Sequence, residues 1–399
     1  MEVLQAFTNN DDIDEYLSAD SSVEKDDISS AVYDDDDELA AGLYFSLPDI
    51  ILDMDFSHHL TEPLFPPMFD HDVLRYYSLD PPSISGLLLI PKYMTEKLQF
   101  EYVSLRQSQS NEIPDFVLLE DLKLEILQSC NGLLLCFSQK SESFYICNPA
   151  TKPLEKLPIF PVVGSKPALN VAFDPNTYPD YKVISVQKID PKGSFHQISI
   201  YSSETRLWTV SGKPFDAPSD IDFSEGVFSK GAIHWMKRTP TGLYFNISTE
   251  LLKEMPKPPD TEGHSLVSCE YFGVSQGHLH YGISSPALPH LDVFEMKVDY
   301  TGWFLKTRID LQALAMNFPV IARRSNNPNP LFGRYEADIL ALVQHHDDDD
   351  DDFEVILSIP GEVISYDNIK KSATKLCDLR IRAEDRAVWY RIYSSYQVL

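Results

Sequence analysis

One unit recurs along this chain, and it limits the possible folds more than any other feature. An aromatic-rich strand, a polar turn and a second strand closing on a hydrophobic residue appear as FYICNPATKPLEKLP (144–158), ISIYSSETRLWTVSG (198–212) and LYFNISTELLKEMP (243–256). LDVFEMKVDYTGWFLKTRIDL (291–311) and VISYDNIKKSATKLCDL (363–379) continue the series. Successive copies begin 54, 45, 48 and 72 residues apart. Between them lie further apolar runs of strand length, such as GLLLCFS, NVAFD, YKVISVQ, GAIHWM, HLHYGI and FEVILSI, separated by Gly, Pro, Asn, Asp and Ser. About four strands per period of 45 to 50 residues is the spacing of propeller blades. A lone four-stranded sheet has two apolar faces it cannot bury, and packing sheets radially covers both while leaving only short edges.

The fold class read here is therefore all-β and propeller-like, with about six irregular blades; an irregular β-sandwich is the alternative. Two additional β-rich stretches, 84–119 and 388–399, are placed to complete the ring by pairing the two ends of the domain. Only DLQALAMNF (310–318) has a helical pattern, and with the acidic run Asp347–Asp352 it occupies the longest interval as an insertion.

Charge divides the chain. Residues 1–80 carry 21 acids against Lys25 and Arg75, which places −19 of the net −28 there and leaves −9 on the other 319 residues. Residues 1–42 read as a disordered acidic arm. Residues 43–82 read as a proline-interrupted linker with a helical turn or two in LPDIILDMDF (47–56). Residues 83–399 form the repeat-built domain, with an acidic loop insertion at 345–352. Such a balance would repel phosphate backbones, so nucleic acid is not expected as a partner. The N-terminus has acids where a secretory signal needs basic residues, and no run reaches 18 apolar residues. The expected location is the cytoplasm or nucleus, with no membrane partner.

Candidate chemistry is sparse. Cys130, Cys136, Cys147, Cys269 and Cys377 form no CxxC pair and lie mostly in apolar runs, so they read as core residues. The Asp347–Asp352 run lacks the alternation and glycine of a calcium loop and reads as a solvated insertion. His278 and His280 share a strand face, a metal-compatible spacing, but with His234 they read as strand positions. No GxSxG, P-loop, GxGxxG or HExxH occurs. No catalytic, cofactor or metal residue is assigned, and the protein is expected not to be an enzyme. A propeller glycoside hydrolase stays open as an alternative and would need two carboxylates about 5 to 9 Å apart in a pocket. Trp208, Trp235 and Trp303 are expected to pack between blades. Recognition is expected on rim loops such as 213–224 and 257–266.

QSCNGLLLCFSQKSESFYICNPATKPLEKLP (128–158) resembles the opening of the F-box-associated domain of plant F-box proteins, where a "CNGLL-C" strand leads into a "Y-CNP-T" hairpin. The likeness continues in order through NVAFDPNTYPDYKVISVQ (170–187), ISIYSSETRLWTVSG, GVFSKGAIHWM (226–236), YFNISTELLKEMPKPP (244–259), SQGHLHYGI (275–283), DVFEMKVDYTGWFLKTRIDL (292–311) and IPGEVISYD (359–367). The resemblance implies a kelch-like or propeller-like domain that captures a target protein. It also implies an N-terminal F-box that grips the Skp adaptor of a cullin–RING ubiquitin ligase. Leu47, Pro48, Ile50, Ile51 and Leu52 match the start of an F-box and are the candidate adaptor contacts. The segment after them departs from the pattern. Pro63, Pro66 and Pro67 fall where helices should run, and a proline inside a helix costs about 3 kcal/mol. The F-box is thus degenerate or missing, and adaptor binding is a conditional expectation. An F-box-less interaction or competitor protein is the alternative.

Overall fold

In a computed structural model, the residues described are 84–91, 101–105, 124–148, 154–158, 167–258 with small gaps, 269–322 without 285–287, 335–344, 352–379 and 390–396. They build six antiparallel sheets. In chain order the first strands are β1 (Ile84–Pro91) and β2 (Glu101–Ser104), followed by a blade of β3 (Leu124–Cys130), β4 (Leu133–Ser138), β5 (Ser143–Cys147) and β6 (Leu154–Lys156). The second blade is β7 (Ala168–Ala172), β8 (Lys182–Lys188), β9 (Phe195–Ser202) and β10 (Leu207–Asp216). The third is β11 (Val227–Ser229), β12 (Ala232–Trp235), β13 (Thr241–Asn246) and β14 (Leu251–Pro256). The fourth is β15 (Cys269–Ser275), β16 (His278–Ser284), β17 (His290–Met296) and β18 (Trp303–Asp310). After helix α1 (Leu311–Asn317) comes the fifth blade, β19 (Asp338–Gln344), β20 (Phe353–Ile359), β21 (Glu362–Asp367) and β22 (Ser372–Asp378). The last strand, β23 (Tyr390–Tyr396), pairs with β1 in a sheet ordered β2-β1-β23. The C-terminal strand is thus the inner strand of a sheet begun by β1 and β2, and the ring closes as the two β-rich end stretches suggested.

Each recurring sequence unit forms the third and fourth strands of a blade. Local chemistry produces the hairpins. Asn131-Gly132, Lys230-Gly231 and Gln276-Gly277 are two-residue loops with both φ angles positive, the turn whose twist matches that of the flanking strands. The four-residue turns place an acceptor at their start. Asn246 Oδ1 takes the Thr249 N–H at 2.9 Å, and Asp367 Oδ1 takes the N–H groups of Ile369 and Lys370 at 3.0 and 2.7 Å.

Burial falls from the inside of a blade to its edge. The middle strands β8 and β20 are buried on both faces, whereas the outer β10 and β22 are mostly exposed. Alternation along a strand sends its two faces to different neighbours. Ile184 and Val186 join Ile233, Trp235 and Phe245 of the third blade, while Val183 joins Leu133, Leu135 and Ile146 of the first. The pattern repeats around the ring, ending where Leu87 and Leu89 meet Ile356 and Val363, and Leu88 meets Leu134 and Cys136. Six clusters, each shared by adjacent sheets, replace a single core. This arrangement sets the propeller apart from the sandwich alternative.

The cysteine and tryptophan expectations can be followed in these clusters. Cys130, Cys136 and Cys147 are buried and Cys377 is half-buried. Burial pushes the Cys130, Cys136 and Cys147 thiols up, to about 12 for Cys130 and about 11 for Cys147. Trp235 and Trp303 are buried and Trp208 is half-buried against the cluster between the first two blades. Trp208 and Trp303 occupy matching positions. Each donates its indole N–H to a carbonyl at the end of the preceding blade, Pro158 at 3.3 Å and Pro256 at 2.7 Å. Leu47, Pro48, Ile50, Ile51, Leu52, Trp389, the arm and most of the acidic run lie outside the described residues.

Candidate recognition surface

A meander of antiparallel strands gives the ring two unlike faces. Turns joining first to second and third to fourth strands open on one face, and these are mostly short. They lock to one another across blades: Ser229 Oγ donates to Gly277 O at 2.9 Å, and Asn131 Nδ2 donates to Phe173 O at 2.6 Å. Connections between second and third strands, and the longer ones between blades, open on the other face. They include 189–194, 217–226 and the α1 segment.

The expectation for 213–224 needs correcting. β10 continues to Asp216 after a register shift between Ser211 and Phe215, and the chain beyond it turns inward. Ala217, Ile221 and Phe223 are buried, and Phe223 packs edge-on to Trp235 with centroids 5.2 Å apart. Alternating Phe215, Ala217, Ile221 and Phe223 fill the seam between the second and third blades, so burial of apolar area outweighs loop freedom. Of 257–266, only Lys257 and Pro258 are described.

Buried polar groups tie the blades together. Gln128 Oε1 accepts the Val171 N–H at 2.5 Å, and Asn170 Nδ2 donates to Phe223 O at 2.8 Å. Asn170 Oδ1 also takes the Gly226 N–H at 3.0 Å, so one network joins three consecutive blades near the axis. At the periphery, the Glu155 carboxylate accepts from Tyr181 Oη at 2.9 Å and Tyr201 Oη at 3.2 Å. Burial, then the adjacent carboxylate, pushes the Tyr201 phenol up to about 12. Glu155→Ala leaves both buried hydroxyls without that acceptor and is expected to cost about 2 kcal/mol. Urea unfolding measures it, and a loss below about 0.5 kcal/mol would show that the staple contributes little.

His278 and His280 do share a face. His278 Nδ1 lies 3.0 Å and His280 Nε2 3.3 Å from the two oxygens of Glu295. Lys306 Nζ sits 3.2 Å from the same carboxylate, where its ammonium supplies the positive charge a cation would bring. Among the described residues no group of three His, Cys, Asp or Glu side chains is arranged to hold a metal. Burial opposes ionisation of Glu295, but the His280 hydrogen bond and Lys306 hold its carboxyl down at about 2. Burial pushes His280 down, so it stays neutral. Asp292, fully buried, is held bidentately by Arg308 at 2.6 and 2.8 Å. Glu155, Asp292 and Glu295 are each engaged by protein donors, which is structural use of charge. A depression between the third and fourth blades, lined by Ser229, Lys230, His278, Lys297 and Tyr300 among others, has room of only ≈ 10 Å³, about one water.

A family model described as the F-box associated beta propeller domain matches residues 92–273. An F-box protein of Arabidopsis thaliana is 28% identical over 360 residues, covering 84% of this chain and 83% of its own length. A second F-box protein of that plant is 28% identical over 139 residues, 33% of this chain and 38% of its own. An F-box/kelch-repeat protein of the same plant is 27% identical over 148 residues, 34% of this chain and 37% of its own.

Proposed function

Because the chain carries an F-box-associated β-propeller domain of the kind found in plant F-box proteins, we propose that it is a non-catalytic receptor that captures target proteins for a cullin–RING ubiquitin ligase. The observation that carries this reading is a closed ring of six sheets whose seams are packed by apolar groups and crossed by hydrogen bonds. Such a ring holds its connections at fixed positions, which lowers the entropy lost on binding a large partner. The place of action is the cytoplasm or nucleus, where Skp adaptors and their targets meet.

The adaptor contact falls to Leu47, Pro48, Ile50, Ile51 and Leu52. Full-length protein is expected to retain purified Skp adaptor in a pull-down run beside a relative with an intact F-box. No retention where the relative binds removes the ligase role. The second reading then takes over: a propeller that competes with intact relatives for their targets. Pro63, Pro66 and Pro67, where F-box helices should run, favour this second reading.

A further inference from the structure

Several lysines of the propeller sit close to an acid. Lys306 lies 3.2 Å from Glu295, Lys370 2.6 Å from Asp367, and Lys375 2.9 and 2.7 Å from Glu362 and Asp378. Lys230 and Lys297 differ. Both are exposed, and among the described residues neither makes an ion pair. They border the same depression between the third and fourth blades, on the face of short turns, and none of the residues lining it is an acid. In a chain of net charge −28, two such cations at one place run against the composition.

The turns hold both residues there. Lys230 begins the Lys230-Gly231 loop of the third blade, and its stem reaches over the facing loop of the fourth. Its Cε lies 3.7 Å from where a Cβ on Gly277 would stand, and glycine at φ +74° leaves that path open. Ser229 Oγ ties the two loops together through Gly277 O. Lys297 opens the turn between β17 and β18. Its N–H donates to Gly302 O and its carbonyl accepts the Tyr300 N–H, both at 2.9 Å, while His234 anchors the Tyr300 hydroxyl. Nearby acids are engaged elsewhere. Glu295 is shared by His278, His280 and Lys306. Asp299, whose charge reaches Lys297, points its Oδ1 at the N–H and hydroxyl of Thr301, at 3.0 and 2.7 Å.

Charge indicates the occupant. A depression with room for about one water admits no small ligand. Two ammonium groups fixed at its border suit carboxylates carried by a larger body, and Val298 beside them, 67% exposed, offers an apolar contact. A nucleic acid or an anionic membrane spreads its charge widely and would also meet the −9 carried by residues 81–399. A short acidic stretch of a protein reaches the two lysines without that repulsion.

We propose that Lys230 and Lys297, one from each of two adjacent blades, form a docking site for an acidic segment of the target protein, with Val298 as its apolar neighbour. This rests on the receptor reading and names the chemistry of its target. The test titrates the full chain, by anisotropy, against a fluorescein-labelled peptide with the core Leu-Asp-Glu-Asp-Glu-Leu between Gly-Ser flanks. The overall charge of the chain repels such a peptide, so its binding has to be local. A control peptide carries Asn and Gln in place of Asp and Glu. Lys230→Gln/Lys297→Gln is compared with Lys182→Gln/Lys213→Gln, which removes the same charge from exposed positions of the second blade. Both are checked for unchanged thermal unfolding. Binding weaker by about tenfold is expected for Lys230→Gln/Lys297→Gln and for the neutral peptide, as two exposed charge pairs together supply. The second-blade variant should bind like the native chain. No binding of the acidic peptide to the native chain, equal binding by Lys230→Gln/Lys297→Gln, or an equal loss in both variants each overturns the site. Adaptor retention by the same proteins decides the receptor reading separately, because neither lysine lies in the segment that matches an F-box start.

Discussion

Gly226→Ala is expected to destabilise the propeller by about 3 kcal/mol, the upper end of what one added methyl does in a packed interior. The methyl would overlap Asn170 Oδ1 and lie 2.5 Å from Trp235 Nε1 and 2.7 Å from Ile233 Cγ2. None of these can move aside cheaply. Asn170 and Trp235 are buried, and both donate to Phe223 O, at 2.8 and 3.1 Å. Displacing Asn170 would also break its bond to the Gly226 N–H and loosen the network reaching Gln128. Gly212→Ala is the matched comparison. Its Cβ meets nothing within 4 Å, but φ is +64°, so only backbone strain of about 1 kcal/mol is expected. Denaturant unfolding of both variants measures the difference; equal losses would mean that the axial network does not hold the blades.

Acidification from pH 7 to pH 4 is expected to weaken the fold by up to about 3 kcal/mol through His234 alone. This side chain is fully buried in β12, grouped with Tyr244 and Tyr300 at centroid distances of 5.6 and 5.7 Å, the two tyrosines 4.8 Å from each other. Its Nδ1–H donates to Val227 O at 3.2 Å, and its Nε2 accepts the Tyr300 hydroxyl at 2.7 Å, an arrangement that uses the neutral ring. Burial, opposed by backbone hydrogen bonds, pushes its pKa down to about 4 from the ordinary 6.5. The unfolded chain therefore takes up the proton first. The stability His234 contributes is whole above pH 6.5 and is lost as pH falls toward 4. His196 and His280 shift in the same direction, so the His234 share is isolated by comparison with His234→Phe. That variant should start less stable, with Tyr300 deprived of its acceptor, but lose less between pH 6.5 and 4. An unchanged slope would mean that His234 is not the titrating group. Tyr300 turns the chain at φ +58° between β17 and β18, so the same bond steadies a loop on the face of short turns.

The misreading of 213–224 and the partial reading of His278 and His280 have one cause. Lys213, Pro214, Asp216 and Ser219 give that segment the composition of a loop, and nothing local reveals that Phe215 meets Phe223 and Phe223 meets Trp235. Strand alternation placed the two histidines on one face. That Glu295 and Lys306 close on that face depends on how β17 pairs with β16 on one side and with β18 on the other. A bulge between Val293 and Phe294 shifts that register by one residue.

Residue order alone determined the strands and the hairpin turns, and pointed to about six sheets; the tertiary structure fixed the count at six among the described residues. Alternation, Asn-Gly and similar turn dipeptides, and the repeated hairpin act over a few residues, so each copy declares itself. The helix at 311–317 was legible for the same reason, as was the pairing of the two end stretches, since a ring of such sheets has no other way to bury its first and last apolar strands. The tertiary structure decided which polar groups became seams. Gln128 meets Gly226 across 98 residues, Glu155 meets Tyr201 across 46, and His234 meets Tyr300 across 66. These contacts join different blades, whose spacing is set by the packing of whole apolar faces, and no local pattern encodes that distance.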